Sequence, residues 1–168
     1  MDTGWAGTFP ELLHLLKEKD IDVGDIEYLV ITHFHPDHAG LVEDIKDHGA
    51  RLIVHHAQVS AMGTLKKFFK PEHNFREIEA KNNITVSTPE SRTLLKKAGI
   101  DGEIIPTPGH SEDSISLIVD ECCAFTGDLP NLSLAAAYGD PELMDSWETI
   151  QSYRVKTIYP GHGNPFSL

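Results

Sequence analysis

Short apolar runs rich in β-branched and aromatic residues recur along the chain and predict a series of β-strands. The predicted strands are Asp25–Thr32, Arg51–His55, Asn83–Ser87, Glu103–Pro106, Ser114–Val119, Cys122–Thr126 and Thr157–Tyr159. The polar pair Asp120-Glu121 separates two of these runs and predicts a hairpin turn between them.

Apolar residues spaced three or four positions apart predict helices between the strands. The first helix begins with the capping-box pattern Thr8-Phe9-Pro10-Glu11, and its leucines are expected to form one apolar stripe, at Leu12, Leu13, Leu15 and Leu16. A glycine after the last helical residue, or an Asp-Pro pair at the start, marks the remaining helices. They are predicted at Ala39–His48, at Pro89–Ala98 and from Asp140 to about Tyr153.

Two segments lack a clear period. Residues 57–82 are partly helical, and their basic and aromatic stretch Lys66–Lys70 is either a lid on the substrate side or, as the pattern favours, an amphipathic surface turn. Leu129–Gly139 is predicted as a loop, which either lines a pocket with Tyr138 or simply connects two elements.

Strands alternating with helices predict a layered α/β sandwich. The chain has 168 residues, of which 40% are hydrophobic, and this is enough to bury a core as a single domain spanning residues 1–168.

Composition narrows the classes of partner. The net charge of −12 argues against nucleic acids and anionic membranes, both of which favour a basic surface. No apolar run approaches the roughly 20 residues of a membrane span. No export signal opens the chain either, so a cytoplasmic protein is expected. The adjacent Cys122 and Cys123 are expected to be reduced thiols, since a bridge between neighbouring residues is strained.

The densest chemistry lies in the hexapeptide His33-Phe34-His35-Pro36-Asp37-His38, directly after an apolar run. Imidazole and carboxylate groups are ligands of zinc, iron and similar divalent ions. Alternate residues of an extended segment point the same way, so His33 and His35 are expected to share one ion. Asp37 and His38, beyond the bend at Pro36, are then displaced towards a second ion.

Three further candidate ligands, His110, Asp128 and His162, each follow a predicted strand. Each is directly preceded by a glycine, which lets the backbone turn sharply or approach an ion without a Cβ clash. The other histidines fit surface roles. His14 and His48 fall in helical patterns, His73 has no partner in sequence, and His55-His56 ends a strand, with a place near the site as the less favoured alternative.

The set H-x-H-x-D-H, G-H-S, G-D and G-H-G resembles the metallo-β-lactamase fold hydrolases, in the branch that contains glyoxalase II and the metal-dependent lactonases. Asp2-Thr3-Gly4 resembles the D-T-G turn of that family, and the resemblance runs from residue 2 to about residue 163. It implies an αββα sandwich that holds two divalent ions, zinc in the first place, with iron or manganese as alternatives. By this resemblance His33, His35 and His110 hold one ion, Asp37, His38 and His162 hold the other, and Asp128 bridges them.

The resemblance also implies a reaction, in which a hydroxide bridging the two metals attacks a small thioester, lactone or ester. Asp37 is placed to orient that hydroxide or to carry its proton. Asp2, Thr32 and Ser111 are expected to accept hydrogen bonds from the ligating imidazoles. Two alternatives stay open: an iron-binding oxidoreductase of the same superfamily, and a catalytically impaired, truncated metal-binding domain.

The start of the chain departs from the family pattern, in which β structure precedes the D-T-G turn; here only Met1 does. We therefore expect a sandwich that lacks some N-terminal strands, either by truncation or by true absence. An exposed sheet edge would favour a homo-oligomer.

Overall fold

The predicted strands pair into two separate sheets in the computed structural model, which describes residues 1–168 except for the side chain of Ala136. The chain divides into an N-terminal unit, Met1–Val54 with Val59–Thr85, and a C-terminal unit, His55–Gln58 with Val86–Leu168. The single domain predicted for residues 1–168 stays a prediction, and the two units are described separately.

The N-terminal unit is built on a sheet of order β1-β2-β3, whose strands are Tyr28–Val30, Arg51–His55 and Asn83–Val86. Strands β1 and β2 are parallel, with Leu29 opposite Leu52. The helices are α1 (Phe9–Lys17), α2 (Pro36–Ala39), α3 (Val42–Lys46) and α4 (Val59–Met62). Short 3-10 turns of this unit lie at Val23–Asp25, Leu65–Phe68 and Pro71–His73, and a further one at His56–Gln58 belongs to the C-terminal unit.

The C-terminal unit holds a sheet of order β4-β5-β6-β7-β8. Its strands are Gly102–Pro106, Ile115–Val119, Cys123–Gly127, Thr157–Pro160 and Phe166–Ser167. Three helices accompany them among the described residues, namely α5 (Thr88–Lys97), α6 (Leu132–Tyr138) and α7 (Pro141–Ser152). The predicted hairpin is confirmed, because β5 and β6 are antiparallel with Leu117 opposite Phe125. The predicted start of α7 is also confirmed, since the Asp140 side chain accepts from the Glu142 amide.

Each unit has its own apolar core. In the N-terminal unit the core includes Ile31, Leu41 and Leu52, all nearly inaccessible to solvent. In the C-terminal unit Trp147 and Ile150 of α7 are fully buried against the sheet. Along the part of the chain that the structure describes, no helix has the length and apolar character required to cross a membrane. Cys122 and Cys123 are both free thiols, as predicted.

The predicted capping box at the start of α1 is wrong. The Thr8 hydroxyl donates to the Trp5 carbonyl at 2.8 Å, and it does not cap the helix. The single leucine stripe is wrong as well, since residues four apart share a helix face but neighbours do not. Leu12 and Leu16 pack against the core, whereas Leu13 and Leu15 are exposed.

The predicted helix Ala39–His48 is divided, and the break at Gly40-Leu41 separates α2 from α3. Gly40 donates its amide hydrogen to the Gly4 carbonyl at 2.9 Å. A Cβ atom at Gly40 would lie only 2.2 Å from the Ala6 amide nitrogen. The helical pattern is therefore interrupted by a distant backbone segment, which local periodicity does not reveal.

Two other boundaries differ from the prediction. The strand expected at Asp25–Thr32 is limited to β1, because the Asp22 side chain accepts from the Gly24 amide and starts a 3-10 turn instead. The loop expected at Leu129–Gly139 contains α6. This helix begins where the Asn131 side chain accepts from the Leu134 amide, and it ends at Gly139 with φ of 64°. An Asn cap followed by a terminal glycine was the overlooked signal.

A buried ion pair joins α3 to the segment that precedes β3. Lys46 lies 2.6 Å from Glu43, and both side chains are less than a tenth exposed. Lys46 also donates to the Glu79 carbonyl, and Glu43 accepts from the Glu79 amide. The two charges are therefore compensated, as burial requires.

A half-buried network of charges lies at the first strand of the C-terminal sheet. Arg92 of α5 donates to Glu103 at 2.9 Å and to Asp120 at 2.6 Å. Burial raises the pKa of Glu103, but hydrogen bonds from Arg92 and Tyr153 outweigh that effect and hold it below the ordinary value. The hydrogen bond from Arg92 lowers the pKa of Asp120, and burial followed by contact with Glu103 raises that of Tyr153 to about 12.

Candidate metal centre

Four of the predicted ligands lie together in the N-terminal unit, between β1 and α3. The Nε2 atom of His33 lies 3.0 Å from Nδ1 of His35, and Nε2 of His38 lies 3.5 Å from a carboxylate oxygen of Asp37. The segment was predicted to be extended, but it is bent. His35 donates its amide hydrogen to the His33 carbonyl, and Pro36 begins α2. The bend brings the side chains together by a different route from the one expected.

The Asp2 carboxylate organises this cluster. One of its oxygens accepts from the Thr32 amide at 2.7 Å. The other accepts from the Thr32 hydroxyl at 2.9 Å and lies 3.0 Å from Nδ1 of His38. Because an ionised carboxylate can only accept hydrogen bonds, Nδ1 of His38 must carry the proton.

The same logic extends to His33. The Thr32 hydroxyl gives its single proton to Asp2, so it must accept the hydrogen bond from Nδ1 of His33 across 3.1 Å. In both imidazoles the proton is therefore held at Nδ1, and Nε2 is the nitrogen with a lone pair. A hydrogen bond of this kind at the remote nitrogen also fixes the orientation of a ligating imidazole and raises its basicity.

The turn that carries Asp2 is tied to α2 by its neighbours. Thr3 donates both its amide and its hydroxyl to the His38 carbonyl, at 2.7 Å and 3.0 Å. The same hydroxyl accepts from the Leu41 amide. Asp2 itself has φ of 51°, a left-handed conformation that Asp and Asn tolerate better than most residues.

The other three predicted ligands lie together in the C-terminal unit. The two carboxylate oxygens of Asp128 face different imidazoles. One lies 3.8 Å from Nε2 of His110, and the other lies 3.7 Å from Nε2 of His162. Both distances exceed that of a hydrogen bond. Asp128 thus has one carboxylate oxygen facing His110 and the other facing His162.

Buried residues of α7 hold the two loops that carry His110 and Asp128. The Ser146 hydroxyl donates to the Pro108 carbonyl at 2.7 Å, and the Trp147 indole donates to the Pro130 carbonyl at 2.8 Å. The Gly161 amide donates to the Gly127 carbonyl, which joins the His162 turn to the Asp128 turn. Sequence reasoning missed Ser146 and Trp147, because an apolar helix face carries no signal for the loop it supports.

A cavity of about 380 Å³ opens beside this second cluster. Its lining combines the three candidate ligands with the polar side chains of Asn131 and Asn164 and the apolar side chains of Leu129 and Phe166. The cavity is large enough for a small organic molecule. Phe166 and Asn164 were not predicted, since their place in the site depends on the short strand β8.

Both clusters fit a divalent metal in the chemistry and spacing of their donors. Imidazole and carboxylate are the ligands that zinc and iron accept, and two donors about 2.0–2.1 Å from a tetrahedral ion lie about 3.4 Å from each other. The donor separations within each unit, 3.0–3.8 Å, bracket that value.

The remaining histidines and Ser111 have contacts of their own. The Ser111 hydroxyl lies 2.8 Å from that of Ser114, and its predicted hydrogen bond to a ligating imidazole stays a prediction. His55 is buried, with Nε2 3.2 Å from the Thr88 hydroxyl, and burial and then His56 lower its pKa. His14 is exposed and lies beside Glu18 of the same helix.

The fold and these two clusters define an α/β protein with histidine- and aspartate-rich loops suited to metal ions. Residues 1–162 match the model of the metallo-beta-lactamase superfamily. The chain belongs to that superfamily, which confirms the family and the fold class predicted from the sequence.

Individual relatives agree with this assignment. The chain is 27% identical over 165 residues to a beta-lactamase-like protein 2 homolog of Drosophila melanogaster, covering 98% of this chain and 54% of the relative. It is 27% identical over 160 residues to a probable hydroxyacylglutathione hydrolase of Schizosaccharomyces pombe, covering 90% of this chain and 54% of the relative. It thus spans about half the length of these relatives.

Among solved structures, a metallo-beta-lactamase family protein of Thermus thermophilus superimposes with a TM-score of 0.72 at 20% identity. The match covers 99% of this chain and 65% of the other. At this level of identity the likeness concerns the fold.

Proposed function

We propose that the protein is a dinuclear metal-dependent hydrolase that acts on a small thioester, lactone or ester. In this proposal the two clusters act as one centre, with zinc as the first candidate metal. His33, His35 and His110 hold one ion, Asp37, His38 and His162 hold the other, and Asp128 bridges them. Two divalent ions at such a centre would supply Lewis acidity and lower the pKa of bound water.

The observation that carries the proposal is the hydrogen-bond chain from Asp2. It holds the protons of His33 and His38 at Nδ1, so that Nε2 of His33 is left facing His35 and Nε2 of His38 is left facing Asp37. Two histidines that served only to satisfy the fold would not need both of their tautomers to be set by one carboxylate, directly for His38 and through Thr32 for His33.

The chain's own residues have separate roles in the proposed reaction. Asp128 sets the spacing of the two imidazoles that face it, because its two oxygens cannot move independently. Asp37 lies beside Nε2 of His38 and is placed to hold or transfer a proton at its carboxylate. The turn at Asp2 keeps the imidazoles rigid through its hydrogen bonds to Thr32 and His38, and this reduces the reorganisation needed during reaction.

A small-molecule substrate is proposed because the net charge of −12 opposes contact with a polyanion. The name of the Schizosaccharomyces pombe relative, a probable hydroxyacylglutathione hydrolase, supports an acyl substrate. The mixed polar and apolar lining of the cavity beside His110 supports a small organic ligand as well.

The test begins with metal analysis of the purified protein, followed by hydrolysis assays with thioester, lactone, ester, phosphodiester and β-lactam substrates. About two equivalents of metal and turnover of an acyl substrate are expected. An Asp128→Asn variant should lose turnover. The control variant Asp140→Asn, which changes only a helix cap, should retain it. A folded protein without affinity for divalent ions, or bound iron with oxygen-dependent turnover and no hydrolysis, would overturn the proposal.

A further inference from the structure

Phe68 lies beside a candidate metal ligand and is largely exposed. Its ring centroid is 5.9 Å from that of His35, in an edge-on arrangement, and about half of the residue (53%) is accessible to solvent. A single exposed phenylalanine is common at protein surfaces. An exposed phenylalanine in contact with a ring of the candidate metal centre is a more specific observation.

The residues around Phe68 hold it in this place. Leu65, three positions earlier, is fully buried in the core of the N-terminal unit. Phe69, the next residue, stacks on Phe75 at 4.1 Å and packs against the same core. Lys66 forms an ion pair with Glu77 at 3.0 Å. The segment is thus anchored on both sides of Phe68. Of the two adjacent phenylalanines, Phe69 packs against the core and Phe68 lies beside His35.

Burial does not explain the choice of residue at this position. Exposing a large aromatic ring gives up the free energy that its burial would contribute. A polar residue would tolerate the same exposure without that loss, whereas an apolar molecule bound at the centre would cover the ring and recover it.

We propose that Phe68 determines substrate specificity by contacting the apolar part of an acyl substrate held at the metal centre. The substrate class is a thioester or lactone with an aliphatic or aromatic chain. This inference rests on the proposed hydrolase function and extends it. In this inference the segment Lys66–Lys70 is a fixed wall and not the lid that was the less favoured alternative, because the anchoring contacts of Leu65 and Phe69 leave little freedom for closure.

The test compares two substrate pairs on the metal-loaded protein, an acetyl and a hexanoyl thioester, and a short-chain and a hexyl-substituted lactone. Hydrophobic contacts of this size are worth about 10- to 100-fold in selectivity. Phe68→Ala should lower kcat/KM by about that factor for the long-chain members, mainly through KM, and by less than about threefold for the short ones. Phe68→Leu should recover part of the loss.

Leu15→Ala is the matched control, since Leu15 is equally exposed on α1 and its removal should change neither pair. Equal loss for short and long chains in Phe68→Ala, or no chain-length preference in the wild-type protein, would overturn the inference while leaving the hydrolase function intact. If the metal-loaded wild-type protein hydrolyses no member of either pair, this inference fails, and the proposed hydrolase function fails with it unless the ester assay shows turnover.

Discussion

Replacing Asp2 by Asn tests whether the Asp2 carboxylate prepares the candidate ligands for metal binding. The substitution changes the hydrogen bonding of the side chain but not its shape. The side-chain amide keeps an oxygen for the Thr32 amide, so the contact of 2.7 Å survives. The other position becomes an NH₂ group and can no longer accept from the Thr32 hydroxyl or from His38. Asn also tolerates the left-handed backbone at residue 2, so little strain is added.

The consequence falls on the tautomers of the imidazoles. Opposite an NH₂ group, Nδ1 of His38 must act as an acceptor, and the proton then moves to Nε2, the atom proposed to bind the ion. The Thr32 hydroxyl is released as well and no longer orients His33. Loss of such supporting hydrogen bonds typically costs 10- to 100-fold in metal affinity, about 1.4–2.7 kcal/mol.

The assay is a competition titration of zinc between the protein and a chromophoric chelator at neutral pH. Asp20→Asn is the matched control, because Asp20 is exposed, has φ of 55°, and loses the same charge. Asp2→Asn should weaken zinc binding by 10- to 100-fold relative to Asp20→Asn. Equal affinities for the two variants would refute the role given to Asp2.

Three further results are expected. Gly40→Ala should disrupt the contact with the turn that carries Asp2, and thermal unfolding should show that the free energy of unfolding falls by about 1–3 kcal/mol. Gly63→Ala is the control and should cause no such loss, because no atom lies near the added methyl group. Lys46→Met leaves a buried carboxylate unpaired and should cost about 3–5 kcal/mol in chemical denaturation; a loss below 1 kcal/mol would contradict the pairing. The lowered pKa of Glu103 means that its contribution to stability is complete above the ordinary pKa of Glu and is lost as pH falls through its lower folded value. Unfolding measured across that acidic range should therefore show a weaker pH dependence in Arg92→Met than in the wild-type protein.

Short sequence patterns predicted the helix starts and turns correctly where the residue types themselves favour one backbone conformation. Asp140-Pro141 starts α7, and Asp120-Glu121 turns the β5–β6 hairpin, because caps and turns depend on neighbouring residues alone. Local signals failed at Gly40, where the backbone of Gly4–Ala6 interrupts a helical pattern. That contact joins residues more than thirty positions apart, and no periodicity encodes it.

The sequence by itself determined the family and the residues able to bind metal, because imidazole and carboxylate chemistry and the glycine before each later ligand are properties of single positions. Only the tertiary structure decided which ring nitrogens carry protons, since that depends on Asp2 meeting Thr32 and His38 across the fold. It also decided that Phe68 lies beside His35 while Phe69 packs against the core. Phe68 and Phe69 are adjacent and have identical side chains, so only the tertiary structure around each ring determines which of them packs against the core and which is exposed.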